Sequence, residues 1–456
     1  MLEAVVAERI SHAVETWGLL PTNHLGARKR RSAEHALLLL QESIYNAWRE
    51  KKVLSLISFD VKGPYNGVCK DRLIQRLKAR GIPWVLTTWI DAFCSERSAT
   101  ILVNGQSSQR QPLIQAGLPQ GSPLSPILFL FLNADLVQNK INKKGGAVAF
   151  IDDYTAWVVG LSAASNRERI QKVIDKALAW EKRSGATFEG SKTVIQHFTR
   201  DSRRTDTLPF RIKGQEVVPK EEVKVLGVVL DSGLRYKKHI ANAATRGLRP
   251  AMALKRLRLL SPSISRRLFG ATVAPVIDYA SSVWTHACRT GDIAALNRVQ
   301  KVGAQAFTGM FRTVAAAVGE AEASLRTTLE RHSERALKLW INMQTLPDTH
   351  PLRKHQGIAL RRFMSPMQRI ATKWKHINTD RMETIQAYTM APWESRIAIV
   401  CIEDRGKAAE VAEAAQGLRI ATSASARHGI IGVGIAIRDT EGETPQEDIA
   451  KYAVTL

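Results

Sequence analysis

Cysteine is scarce in this chain: Cys69, Cys94, Cys288 and Cys401 are the only four in 456 residues. They stand too far apart for the paired spacing of a zinc finger or knuckle, which argues against a structural metal cluster. Free thiols in a reducing compartment are the simpler reading. Long apolar runs are also missing. The longest, Ile127 to Leu132, falls far short of the roughly 20 residues a bilayer demands. The opening MLEAVVAERISHAV carries Glu3 and Glu8 and no Arg/Ser bias, so neither a signal nor a transit segment is evident. The expectation is a soluble intracellular protein of nucleus or cytoplasm with no membrane partner. Acidic residues are the last shortage: 42 Asp and Glu face 66 Lys and Arg, a formal +24 with pI near 10.1. Such an excess draws a protein to polyanions, nucleic acid first and an anionic membrane surface second.

What is present is ordinary globular composition, 45% hydrophobic, in a chain long enough for about two or three domains. Leu2, Val5, Val6, Ile10 and Val14 recur at helical spacing with no cap ahead of them, so the chain reads as starting in mid-helix. The basic loop Arg28–Lys29–Arg30–Arg31 precedes a helix expected from about Ser32 to Arg49. VLSLISFD (53–60) reads as a buried strand ending in a carboxylate. Helices are expected at about Lys70–Arg80 and Trp84–Cys94, then a hairpin turning at Asn104–Gly105. The Gly- and Pro-rich AGLPQGSPLSP leads into an apolar helix, Ile127–Val137. AVAFIDDYTAWVVG (147–160) reads as strand, tight turn, strand, with an Asp pair at the tip. A helix at about Ser165–Ser184 and further strands complete an α+β domain to about Asp231. Residues 235–270 then hold ten Lys or Arg and no acid, with Leu254, Leu257, Leu260 and Leu268 suggesting a helix of one basic and one buried face. Basic, mainly helical sequence continues to about Ile385, and from about Arg396 the pattern returns to β/α.

A strand-end Asp is common, and carboxylates favour turns because they bond nearby backbone. The combination is more telling. Nucleotidyl transfer uses two Mg²⁺ ions about 3.5–4 Å apart, clamping the attacking oxygen and the leaving phosphate. Mg²⁺ shares oxygen ligands between a couple of carboxylates and substrate phosphates. Asp60 and Asp152, on adjacent strand ends, meet that need. Their repulsion without a cation makes such a site metal-dependent.

In this order, SFDVKGPYNGV, AGLPQGSPLSPILF and AFIDDYTAW resemble the palm of a non-LTR (LINE-type) retrotransposon reverse transcriptase, nearest to fungal elements. The resemblance runs from the amino terminus to about residue 380. It implies a right-hand polymerase: fingers and palm over 1–232, a helical basic thumb and connection over 233–385, and a partial RNase H-like tail over 396–456. It also implies an RNA-directed DNA polymerase (nucleotidyltransferase) that takes an RNA template, a DNA primer, their hybrid and deoxynucleoside triphosphates, with two Mg²⁺ or substituting Mn²⁺. Asp60 and Asp152 match the metal ligands and Asp153 the supporting carboxylate. Tyr65 matches the ring set against the sugar 2′ position, where a ribose hydroxyl would clash. Gln120 and Gly121 match the loop under the incoming nucleotide, and Lys192 the lysine that protonates leaving pyrophosphate. Leu226 and Gly227 match the primer grip. Arg28, Arg30 and Arg31 sit where fingers hold triphosphate or template phosphates. The basic stretch falls at the thumb, which grips a phosphate backbone without reading sequence.

Three departures accompany this. The chain begins inside a segment that family members precede with an endonuclease and the start of the fingers, so a truncated protein is expected. Pro64 stands where a small residue is more usual. In the tail, IATSASARHGIIGVGIAI resembles the opening hairpin of an RNase H domain, with Ser423 where its first catalytic Asp would fall. KYAVTL resembles the next helix start, with Thr455 in place of a Glu. The alternatives are a decayed, inactive fragment that only binds nucleic acid and an RNA-dependent RNA polymerase with a similar palm; Tyr65 argues against the second.

Overall fold

The computed structural model describes residues 1–113, 117–139, 141, 144–257, 260–355, 362–379, 382–394, 402, 404–414, 418–427, 430–439 and 450–455. Arg396 and Cys401, both named above, lie outside them, as do Ala116, Arg258 and Gly429 of the stretches described there. The chain divides into two compact units, Met1–Pro392 and Trp393–Leu456.

The first unit opens with α1 (Leu2–Trp17) and α2 (Ala33–Arg49). Ser32 caps α2 by accepting from the His35 amide. Next comes β1 (Val53–Phe59), then α3 (Lys70–Ala79) and α4 (Trp84–Phe93). A nested hairpin follows, β2 (Ser98–Ala99), β3 (Leu102–Val103), β4 (Gln106–Ser107) and β5 (Gln111–Pro112). It turns at Asn104–Gly105, both at positive φ. Then come α5 (Leu124–Val137), β6 (Gly146–Phe150), β7 (Asp153–Gly160), α6 (Ala163–Ser184) and β8 (Val194–Phe198).

β1 is central in the antiparallel sheet β6-β7-β1-β8. Alternation along β1 assigns each face a partner. Leu54 and Leu56 join one buried cluster with α2, whereas Ile57 and Phe59 join another with α5 and α6. Covered on both faces, the strand needs apolar residues almost throughout, which is why it reads as a continuous run. Ser55 and Ser58 are the exceptions: Asn166 of α6 and His197 of β8 bond the Ser55 hydroxyl, and Thr155 of β7 meets that of Ser58.

Two small hairpins follow, β9 (Phe210–Ile212) with β10 (Gln215–Val217) and β11 (Glu222–Val225) with β12 (Val228–Asp231). The single long helix expected from the basic stretch is instead two, α7 (Lys237–Arg256) and α8 (Pro262–Thr272). Ser261 caps the second helix and Pro262 occupies its first turn, a start signal that overrides the leucine spacing. Leu254 is buried as expected, but Leu257 lies between the helices at 55% exposure. Short helices α9 (Ala274–Ile277) and α10 (Ser281–Trp284) lead to α11 (Thr290–Thr308), α12 (Ala316–Glu322), α13 (Thr328–Gln344) and α14 (Pro366–Lys373).

The second unit contains α15 (Arg405–Ala414) and an antiparallel sheet of β13 (Leu418–Arg427), β14 (Ile430–Asp439) and β15 (Ala450–Thr455). The expected helix start at KYAVTL is corrected: Ala450–Thr455 is a strand paired along β14. Its Tyr, Val and Thr favour that state. Among the described residues, no helix is long and apolar enough to cross a membrane.

Candidate active site

Register brings the acids together. Phe59 pairs with Tyr154, so Asp60 leaves β1 beside the start of β7, where Asp153 pairs with Phe150 across a two-residue turn of Ile151 and Asp152. Burial first, and then the Asp60 charge, pushes the Asp152 carboxyl up. Burial and the charges of Asp152 and Asp60 push Asp153 up to about 6. Lys192, just ahead of β8, sets its Nζ 3.0 Å from Asp60 Oδ2. That bond holds the ammonium above its usual range. Among the described residues no group of three or more acid, His or Cys side chains forms a metal cage. Two or three acids that crowd and repel at an open edge nevertheless fit a Mg²⁺ site completed by substrate oxygens.

The neighbouring loops converge here. Tyr65 is raised by burial and by the Asp152 charge, and its ring meets Phe129 of α5 edge-on. Its carbonyl accepts from the Leu118 amide at 2.8 Å. A β-carbon on Gly117 would come within 2.1 Å of that same oxygen, so only glycine allows the loop this close. Gln120 and Gly121 are exposed on this loop, with Gly121 at φ 93. The β11–β12 hairpin is also near, since Lys224 of β11 acts on the Asp153 charge. Its turn is Leu226–Gly227.

Arg28 and Arg31 have partners within the chain. Arg28 clasps both oxygens of Glu15 at 2.7 and 2.9 Å and donates to the Pro21 carbonyl, with its side chain only 3% exposed. Arg31 donates to the carbonyls of Thr22 and His24. Burial and the charge of Arg28 bring it down to about 10. Both guanidinium groups fasten the turn after α1. Arg30 donates to Thr345 Oγ1.

Sequence reading missed the support beneath the Ile151–Asp152 turn. Ile151 is a β-branched residue at φ 59, a conformation costing on the order of 1–3 kcal/mol. Its carbonyl accepts from Asn133 Nδ2 at 2.7 Å, and Asn133 Oδ1 lies 2.7 Å from His24 Nε2. His24 is completely buried and held down to about 3 by that burial. It stays neutral with its proton on Nε2. One signal was available: Asn133 is the polar interruption in ILFLFLNADLV. Asn133→Leu leaves the His24 N–H and the Ile151 carbonyl unpaired, at about 1–3 kcal/mol each. Urea unfolding is expected to show a stability loss of about 2–4 kcal/mol; a loss under 1 kcal/mol would refute the clamp.

The family described as "Reverse transcriptase (RNA-dependent DNA polymerase)" matches residues 1–230. The "Probable RNA-directed DNA polymerase from transposon BS" of Drosophila melanogaster is 24% identical over 385 residues, 81% of this chain and 41% of that protein. The "RNA-directed DNA polymerase from mobile element jockey" of Drosophila funebris is 24% identical over 391 residues, 82% of this chain and 41% of the relative. The chain thus spans about two fifths of the length of these relatives. Among solved structures, apo telomerase from Candida Tropicalis is similar with a TM-score of 0.37 at 12% identity, over 75% of this chain and 57% of that one.

Proposed function

This chain belongs to the reverse transcriptase family, and from that premise we propose that it is the RNA-directed DNA polymerase of a non-LTR retrotransposon. We read it as an element of fungal type. The supporting observation is the meeting of Asp60, Asp152 and Asp153 at adjacent strand ends, with Tyr65 beside them. Residues 1–232 serve as fingers and palm, 233–385 as a basic thumb and connection, and 396–456 as an RNase H-like tail.

Asp60 and Asp152 would hold two Mg²⁺ ions, with Asp153 in support, and the ions would supply neutralisation of phosphate charge and activation of the primer 3′-oxygen. Tyr65 closes the space a 2′-hydroxyl would need. Gln120 and the exposed backbone at Gly121 lie under the incoming deoxynucleotide. Lys192 delivers a proton from Nζ to the departing pyrophosphate. Leu226 and Gly227 position the primer end. The cations of α7 and α8 track the backbone of the RNA–DNA hybrid, independent of sequence. Positioning and charge supply most of the rate.

Primer extension on poly(rA)/oligo(dT) tests this. Purified protein with Mg²⁺ is expected to incorporate dTTP, to reject UTP, and to stop when the metal is chelated. No incorporation despite hybrid binding would sink the enzyme reading. Equal use of UTP would sink the role of Tyr65.

A further inference from the structure

The turn between β11 and β12 is built from a costly residue and steadied from elsewhere in the chain. Val225 pairs with Val228, which leaves Leu226 at φ 45 and Gly227 at φ 84 as the two turn residues. Two left-handed residues define a type I′ turn, where Asn-Gly is the low-cost choice and leucine carries a steric penalty. The compensation comes 53 residues away. Tyr279 Oη donates to the Leu226 carbonyl at 2.9 Å. A β-carbon on Gly227 would sit 3.0 Å from Tyr279 Cε1 and 3.5 Å from its Cζ and Oη, so the ring lies against the turn itself.

Tyr279 is fixed from behind. The Asp278 carboxylate before it is wholly buried and accepts from Arg331 at 2.8 and 3.1 Å and from His332 at 3.0 Å, both on α13. Trp284 Nε1 donates to the Tyr279 carbonyl at 2.9 Å. Yet the tyrosine is 42% exposed. A ring that served packing alone would be covered, whereas this one stands at the surface with its hydroxyl on a turn carbonyl.

We propose that Tyr279 is a positioning residue for nucleotide addition: it holds the Leu226–Gly227 turn and ties the primer end to the helical region behind it. This rests on reading that turn as the primer grip. β11 also carries Lys224, which acts on Asp153. A loosened turn therefore shifts the primer 3′-oxygen relative to the carboxylates and leaves the deoxynucleotide's own contacts alone.

The test compares the full chain with Tyr279→Phe, which keeps the ring and removes the hydroxyl, and with Tyr279→Ala. Single-nucleotide addition on poly(rA)/oligo(dT) is expected to show kcat down about tenfold in Tyr279→Phe, roughly what one lost hydrogen bond is worth. The KM for primer–template should rise while the KM for dTTP stays unchanged, and Tyr279→Ala should be worse in the same pattern. A wild-type kcat and primer KM in Tyr279→Phe would overturn the proposal. So would a fall in active fraction with both KM values intact, which is what a merely structural role gives. If the wild type extends no primer, the polymerase reading has failed, and a second measurement still decides on Tyr279. With 2-aminopurine at the primer 3′ end, Tyr279→Phe should change the bound fluorescence at equal hybrid affinity; identical fluorescence overturns it.

Discussion

Asp152→Asn is expected to lower single-turnover nucleotide addition by about a thousandfold while leaving the melting temperature unchanged or higher. The amide keeps the shape of the side chain and removes the charge that holds a cation. Metal-ion catalysis contributes several kcal/mol of charge stabilisation, and about 4 kcal/mol corresponds to a thousandfold in rate. Stability should move the other way. Asp60 pushes the carboxyls of both Asp152 and Asp153 up, and Asp152 pushes that of Asp153 up. Without metal, removing one member of such a trio relieves like-charge repulsion. The two readouts therefore diverge, which a misfolded variant cannot imitate. Extension within tenfold of wild type would exclude Asp152 as a ligand. A lower melting temperature in metal-free buffer would show that the acids are not mutually repelling.

The parts of this site legible from sequence were those written in local pattern. A buried strand ending in Asp60 and an Asp pair at a two-residue turn follow from period and turn chemistry, and the register of β1 on β7 brings them together. What sequence could not supply was the partner of a charge. Arg28 and Arg31 read as phosphate contacts of the fingers, and nothing local indicates that Glu15 and the carbonyls of Thr22 and His24 also receive them. The His24–Asn133 clamp spans 109 residues, and the Tyr279 bond to Leu226 spans 53. Contacts of that separation are set by packing, and only Asn133, which breaks the apolar run of α5, hinted at one of them. The reverse error occurred in the basic stretch, where leucine spacing outweighed Ser261–Pro262. A local stop-and-start signal there was the better guide. In β15 the propensity of Tyr452, Val454 and Thr455 and the pairing with β14 agree on a strand, and the expectation of a helix start there set that local signal aside.

Acidification from pH 7 to pH 5 is expected to unfold the protein or bring it to the edge of unfolding. Five buried histidines account for this. Burial holds His24 down to about 3, His35, His197 and His239 to about 4, and His350 to about 2. Each is neutral in the folded state, and several use a ring nitrogen structurally, as His24 does with Asn133 and His197 with Ser55. Once unfolded, each titrates near its ordinary value of about 6.5. Between the folded and unfolded values the unfolded chain binds more protons, so stability rises with pH and is lost as pH falls below about 6.5. At pH 5 a site of this kind has lost about 2 kcal/mol. A few such sites together rival the 5–15 kcal/mol, or about that, of a typical domain. His35 and His350 add a pairwise constraint, because their rings lie 5.0 Å apart and Arg28, Arg30 and Arg31 oppose charge on His350. The formal +24 makes further protonation costlier still. Urea unfolding at pH 7.5, 6 and 5 should show this steep decline, and His350→Gln should flatten it. A stability that is level from pH 7.5 to 5 would mean these rings are not held neutral by burial.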